Sequence, residues 1–124
     1  MYLVSVEQNF DAAHCLRNYG GKCESLHGHS FKVVVTIKAT RLNEIGLAYD
    51  FTVLKGQLNE VLTRFDHTSL NEIQPFTELN PSSENIAMVV YDEMKLMLTK
   101  APVTIENVEV WESPTSHVIY SPQV

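Results

Sequence analysis

Apolar and polar residues alternate along the start of the chain, a pattern typical of a β-strand with one buried face. Over residues 2–13, Val4, Val6 and Phe10 tend to one face, and polar residues occupy much of the other. A run of β-branched residues within 29–40 predicts a second strand that is long and well buried. The sequence is therefore expected to begin with a pair of strands.

After residue 50 the apolar residues recur at intervals of three and four, which predicts a helix. Either Asp50 or Thr52 can cap this helix, because a short polar side chain accepts a hydrogen bond from a backbone N–H of the first helical turn. A break rich in proline and asparagine follows, and either Ser82 or Ser83 then caps a second helix. The middle of the sequence is therefore predicted to be helical.

Alternation returns near the end of the sequence. Residues 104–112 predict a third strand, and residues 118–120 predict a short last one. The predicted order is ββααββ, which indicates an α+β domain with a four-stranded antiparallel sheet and two helices on one face. The whole sequence, residues 1–124, is expected to form this single domain.

Composition and charge narrow the function classes. Of the 124 residues, 44% are hydrophobic and the net charge is −6, which argues against disorder and against a broad basic face for nucleic acid. No stretch approaches the ~20 apolar residues of a membrane span, and the first residues do not resemble a signal peptide. Two cysteines are too few for a disulfide framework, so the expected location is the cytoplasm.

Three histidines are spaced as metal ligands. His27 and His29 lie two residues apart and project from the same face of a strand, with Gly28 between them, and His14 ends the neighbouring strand. Three imidazoles on one face match a catalytic zinc site whose fourth position stays open for water or substrate. The spacing alone is also compatible with three ordinary polar residues at strand ends.

Cys23 lies four residues before His27, and its chemistry is open on spacing alone. It can be a fourth zinc ligand that closes a structural site. It can instead be an unligated thiol whose pKa the nearby cation lowers, which makes it a base or nucleophile. It can also be inert.

Three further residues, a neighbouring pair and a single glutamate, carry candidate chemistry. Asp66 precedes His67 after the first helix, and a carboxylate beside an imidazole can fix its tautomer, although adjacent side groups often point apart. Glu112 ends an otherwise apolar strand, where a buried carboxylate could accept paired N–H donors from a heterocycle. Alternatively, Asp66 and His67 are a solvent-exposed pair at the end of the helix, and Glu112 is an exposed residue at a strand edge.

Six segments together resemble the 6-pyruvoyl-tetrahydropterin synthase family, and specifically its 6-carboxytetrahydropterin synthase branch. They run in family order over nearly the whole sequence: Phe10-Asp11-Ala12-Ala13-His14, Cys23-Glu24-Ser25-Leu26-His27-Gly28-His29, Asp50-Phe51, Asp66-His67 with Leu70-Asn71, Pro81-Ser82-Ser83-Glu84-Asn85 and Val110-Trp111-Glu112-Ser113. Three residues separate Cys23 from His27, which resembles the carboxy branch rather than the animal pyruvoyl enzymes.

The resemblance implies a zinc enzyme with the tunnelling fold, in which trimers close their sheets into a barrel and two trimers stack into a homohexamer. The implied roles are zinc ligation by His14, His27 and His29, general base for Cys23, relay pair for Asp66 and His67, and pterin anchor for Glu112. The implied active site lies between subunits, with the relay pair supplied by the neighbour of the subunit that binds zinc.

The implied reaction converts 7,8-dihydroneopterin triphosphate to 6-carboxy-5,6,7,8-tetrahydropterin, acetaldehyde and triphosphate, in the route to 7-deazapurines and queuosine. One zinc ion per subunit is expected, and Mg²⁺ is a candidate second ion on the triphosphate. Lys22, Lys32 and Arg17 are candidate cations for the phosphates.

Two other functions remain open. Glu24 creates the pattern Glu24-x-x-His27-Gly-His29, which resembles a third branch that uses a glutamate to make the folate precursor 6-hydroxymethyl-dihydropterin, alone or beside the carboxy product. Glu24 can also be a solvated loop residue. Alternatively, Cys23 closes a four-ligand zinc site and the protein is a non-catalytic binding module.

Overall fold

The computed structural model describes residues 1–18 and 25–122 of the protein. Its elements in sequence order are β1 (Tyr2–His14), β2 (His27–Ala39), α1 (Phe51–Leu62), β3 (Thr68–Ser69), a 3₁₀ turn (Leu70–Glu72), α2 (Ser83–Met97), β4 (Thr104–Ser113) and β5 (Ser116–Tyr120). The predicted α+β class and the order of the four long strands and two helices are confirmed.

The strands form one sheet in the order β3-β1-β2-β4-β5. The four longer strands are antiparallel neighbours, as predicted, with β1 paired to β2 along its whole length. The prediction of four strands was incomplete, because Thr68 and Ser69 pair in parallel with Ala12 and Ala13 as a fifth strand. Two residues bounded by turns carry too little pattern to be recognised as a strand.

One face of the sheet is buried against both helices. Phe10 and Phe31, opposite each other on β1 and β2, stack with their ring centroids 4.9 Å apart. The central strand β2 is buried on this face from Phe31 to Ala39, and α1 and α2 contribute apolar residues to the same core. His14 lies at the end of this face and is only 2% exposed, so the core extends up to the predicted metal ligands.

Polar caps fix where the helices begin. The carboxylate of Asp50 accepts a hydrogen bond from the backbone N–H of Thr52, so Asp50 rather than Thr52 is the cap of α1. The hydroxyl of Ser82 accepts from the backbone N–H of Asn85 and caps α2. Since Pro81, just before this cap, contacts His14, the first turn of α2 lies beside the end of β1.

Neither helix in the described ranges has the length and apolarity to cross a membrane.

Candidate active site

The three predicted zinc ligands converge at one end of the sheet. The register places His14 opposite His27, and His29 follows two residues later on the same face of β2. Each of the three offers a ring nitrogen, and these nitrogens all lie within 4.8 Å of one another. The register of β1 and β2 thus brings together the three side chains that the sequence singled out as candidate ligands, in an arrangement that could hold a metal ion.

Backbone carbonyls orient two of these rings. His14 Nδ1 lies 2.7 Å from the carbonyl oxygen of Pro81, and His27 Nδ1 lies 2.9 Å from that of Ser25. Because a carbonyl oxygen only accepts, each Nδ1 carries the proton and each Nε2 keeps its lone pair. Histidines that bind metals are commonly held in this way.

The donor set fits a divalent metal ion. His14 Nε2 is fully buried and has no hydrogen-bond partner within residues 1–18 and 25–122. A buried polar atom without a partner is costly, at about 1–3 kcal/mol, and a bound ion would remove that cost. Three neutral imidazoles are a ligand set that suits zinc. The structure thus supports a metal centre at His14, His27 and His29.

Glu112 lies against the same histidines. Its Oε1 atom is 3.4 Å from His14 Nε2 and 3.7 Å from His29 Nε2. The pairing of β4 with β2 brings the end of β4 to the start of β2, which accounts for this approach. The Glu112 side chain is 38% exposed, so its carboxylate is more accessible to solvent than the buried carboxylate that the sequence suggested.

A cavity of about 280 Å³ adjoins this cluster. Six of the residues that line it are His14, His27, Ser82, Ser83, Glu84 and Glu112. The sequence pattern at the start of α2 indicated helix capping alone, but the structure adds Glu84 to the wall of the cavity. No local pattern indicated this position, because the first turn of α2 reaches the cavity through the contact of Pro81 with His14, 67 residues away in sequence.

Asp66 and His67 form a contact pair, as one interpretation of the sequence proposed. Asp66 Oδ2 lies 3.1 Å from His67 Nδ1. Neighbouring residues usually point apart, but His67 has a φ of 58°, and this left-handed conformation turns its ring toward Asp66. The pair lies at the β1 edge and does not line the 280 Å³ cavity.

The backbone of β1 holds this pair in place. The N–H of Asp11 donates to Asp66 Oδ1 over 2.9 Å, and the N–H of His67 donates to the carbonyl of Asp11 over 2.6 Å. The hydrogen bond from Asp11 is the main reason that the pKa of Asp66 lies below its ordinary value of 3.8, and His67 lowers it further. Asp66 is therefore ionised at neutral pH.

The predicted base and its neighbour are not among the described residues. Cys23 and Glu24, and the candidate cation Lys22, lie within 19–24, outside the described ranges. The two described candidate cations have other contacts. Arg17 donates to the carbonyls of Phe76 and Leu79, and Lys32 lies over the Trp111 ring, 4.3 Å from its centroid.

A family model described as 6-pyruvoyl tetrahydropterin synthase matches residues 3–123. The chain belongs to this family. A 6-carboxy-5,6,7,8-tetrahydropterin synthase of Synechocystis sp. is 36% identical over 126 residues, covering 97% of this chain and 93% of that protein. The enzyme of the same name from Bacillus subtilis is 31% identical over 131 residues, covering 97% of this chain and 85% of its own.

A solved structure bears out the fold. The 6-pyruvoyl tetrahydropterin synthase of Caenorhabditis elegans matches with a TM-score of 0.81 at 24% identity, covering 99% of this chain and 98% of that one. The protein therefore has the tunnelling fold of the 6-pyruvoyl tetrahydropterin synthase family. The relatives named here are pterin synthases, and this supports an enzyme that acts on a pterin.

Asp66→Asn should reduce the free energy of unfolding at neutral pH. Because folding lowers the pKa of Asp66, its charge stabilises the native state above the ordinary value of 3.8, and this contribution is lost as pH falls through the lower native value. The difference between wild type and variant should therefore shrink below pH 3.8. Denaturant titrations at stepped pH values measure it.

Asp92→Asn is the matched control, because Asp92 is an exposed carboxylate on α2. It should change stability little at any of these pH values. A difference between wild type and Asp66→Asn that stays constant from pH 7 down to the lowest pH would contradict a stabilising charge at Asp66.

Proposed function

We propose that this protein is a zinc-dependent carbon–carbon lyase of the cytoplasm. It converts 7,8-dihydroneopterin triphosphate and one water molecule to 6-carboxy-5,6,7,8-tetrahydropterin, acetaldehyde and triphosphate, a step toward queuosine. The observation that carries the proposal is that His14, His27 and His29 each offer a ring nitrogen and that these nitrogens lie within 4.8 Å of one another, beside a cavity. The names of relatives up to 36% identical support the choice of product.

The metal chemistry follows from the ligand set. His14, His27 and His29 would hold the ion and leave a fourth position open to substrate. When bound, zinc supplies a Lewis acid that lowers the proton affinity of the hydroxyl groups on the substrate's tail. The cavity beside the histidines leaves room for that tail to approach.

The protein's own groups would move the protons. The ring imine of the substrate acidifies the C–H bond at the first carbon of its tail, and Cys23 as a thiolate would remove that proton. His67 would exchange protons with the hydroxyl oxygens of the tail. Asp66 fixes the His67 ring by the 3.1 Å contact and is itself held by the backbone of Asp11.

Glu112 is proposed to bind the pterin ring. A carboxylate can accept two parallel N–H bonds from the amidine-like edge of the ring. Glu112 lines the cavity, and its partial exposure leaves it accessible to a ligand there. Its contact with His14 and His29 would set the ring directly beside the metal.

A complete site would require more than one subunit. The Asp66–His67 pair lies outside the cavity that His14 and His27 line, which supports a relay pair supplied by a neighbouring subunit. Among the described residues β1 has a strand on its outer side only at Ala12 and Ala13, so most of that edge is open to pair with another copy. Trimers closed into a barrel, stacked as a homohexamer, would use this edge.

Glu24 gives a second candidate product. A carboxylate, with a reference pKa of ~4.3 against ~8.5 for a thiol, is the weaker base. It would therefore suit a tail hydroxyl whose proton affinity a bound metal had lowered better than it would suit a C–H bond. Removing the proton from the hydroxyl on the second tail carbon would allow a retro-aldol cleavage of the bond between the first and second tail carbons, and the outer two carbons would leave as an aldehyde that keeps the triphosphate. Protonation of the inner carbon would then give 6-hydroxymethyl-dihydropterin, beside the carboxy product or instead of it.

Zinc should bind with one ion per subunit, and His27→Ala should lose both the zinc and the activity. The fold should survive, because His27 lies at the half-buried end of β2 while the core lies beyond it. Metal analysis after dialysis and circular dichroism measure the two properties. His117→Ala is the matched control for zinc content only, since His117 is exposed and stacks on Trp111 but also lines the cavity. Full zinc in His27→Ala would refute the three-histidine site.

Analysis of the reaction products tests the catalytic roles of Cys23 and Glu24. With dihydroneopterin triphosphate, wild type should form 6-carboxytetrahydropterin, and Cys23→Ala should form it ~10²–10⁴-fold more slowly because it lacks the base. Glu24→Gln should keep that product and suppress any 6-hydroxymethyl-dihydropterin. Mass-resolved product analysis measures both. Wild-type turnover in Cys23→Ala would exclude Cys23 as the base. If wild type and Cys23→Ala both fail to form the hydroxymethyl product, with dihydroneopterin triphosphate and with dihydroneopterin, Glu24 has no second activity.

Mixing two impaired variants tests whether each site is shared between subunits. Cys23→Ala and His67→Ala are each expected to form the carboxy product ~10²–10⁴-fold more slowly than wild type as pure proteins. After subunit exchange, the mixture should recover part of the activity, because some interfaces then combine an intact Cys23 with an intact His67. Exchange verified by mass spectrometry without any recovered activity would mean that each site uses one subunit only.

A further inference from the structure

Two asparagine amides fasten the backbone where it leaves β1. Asn71 accepts from the N–H of Cys15 and donates to the carbonyl of the same residue, both over 2.9 Å. Asn80 does the same with the N–H and carbonyl of Arg17, again both over 2.9 Å. Each amide thus replaces a peptide group of a neighbouring strand and satisfies two backbone groups at once.

The second of these asparagines adjoins the carbonyl that orients His14. Pro81 follows Asn80 directly, and its oxygen accepts from His14 Nδ1 over 2.7 Å in a buried contact. The carbonyl of Asn80 in turn accepts from the amide of Asn85 in the first turn of α2. Asn80 therefore connects three parts: the backbone after β1, the Pro81 carbonyl and α2.

The geometry of this connection bears on the metal centre. When His14 donates from Nδ1 to Pro81, its Nε2 is left as the nitrogen that can share an ion with the other two histidines. The carbonyl of Pro81 must then stay at a fixed distance from the end of β1. The paired hydrogen bonds between Asn80 and Arg17 cross the same gap three residues after His14 and hold that distance.

We propose that Asn80 is a positioning residue for the metal centre, which fixes the Pro81 carbonyl against β1 and so aims His14 Nε2 at the shared ion. Asn71 is a second, parallel attachment of the same segment. The inference rests on the proposed metal site at His14, His27 and His29. Asn80 is not itself a metal ligand, but it would control the zinc affinity of the site through the carbonyl group of Pro81.

The test is the zinc affinity of Asn80→Ala, measured by competition with a chromophoric chelator. Partners that orient metal ligands typically contribute 10–100-fold to affinity, and a loss in that range is expected. The visible absorption of bound Co²⁺ should also change, because the angle at the His14 nitrogen changes. Both readouts are independent of catalysis.

Asn43→Ala is the matched control. The Asn43 amide oxygen also accepts two backbone hydrogen bonds, from Ile45 and Leu47, in the loop after β2 at the opposite end of the sheet. Both variants lose hydrogen bonds that hold a loop, so both should lose stability in the metal-free state. Only Asn80→Ala should lose zinc affinity.

The outcomes separate this inference from the proposed function. Wild-type zinc affinity in Asn80→Ala, with an unchanged Co²⁺ spectrum, overturns the inference and leaves the metal site in place. A wild type that binds no zinc overturns both. If Asn80→Ala does not fold, Asn80→Asp replaces it under the same criterion, since it keeps the acceptor for Arg17 N–H and loses the donor to the carbonyl.

Discussion

Tyr2 lies opposite Ala39 and His14 opposite His27, and the candidate site depends on this register between β1 and β2. Residues alternate between the two faces along a strand, so the parity that buries Phe10 and Phe31 also places the three histidines on the buried face. A slip of one residue would turn the aromatic core and the histidines outward together. The hydrophobic core thus enforces the geometry of a polar site that contributes little to it.

The segment between the two helices supplies the polar contacts that the sheet cannot. Beside the end of β1 it presents Asp66 to the N–H of Asp11, the amides of Asn71 and Asn80 to the backbone that follows, and the carbonyl of Pro81 to His14. Its two-residue strand, β3, is one part of this contact. The end of β1 is therefore held by β2 on one side and by this segment on the other, and the candidate site is built there.

The sequence predicted the features that depend on neighbouring residues, such as the faces of strands and the caps of helices. The period of two placed His27 and His29 on one face. Short polar residues narrowed each helix cap to two candidates, and the structure selects Asp50 and Ser82. Contacts between distant segments left no such pattern. The amides of Asn71 and Asn80 meet residues 56 and 63 positions away, and the closeness of Asp66 to His67 depends on a positive φ that no sequence period encodes.

The extent of the hydrophobic core helps to distinguish an open three-histidine metal site from a closed structural one. Closed four-ligand zinc sites commonly supply folding energy to domains whose cores are small. Here one continuous core joins both helices to the sheet and reaches Phe31, which packs edge-on against the His14 ring. A core of this extent is consistent with folding without a metal, and an ion bound only by the native state would add stability by mass action. An open site of three histidines beside a cavity is therefore better matched to this fold than a structural zinc site.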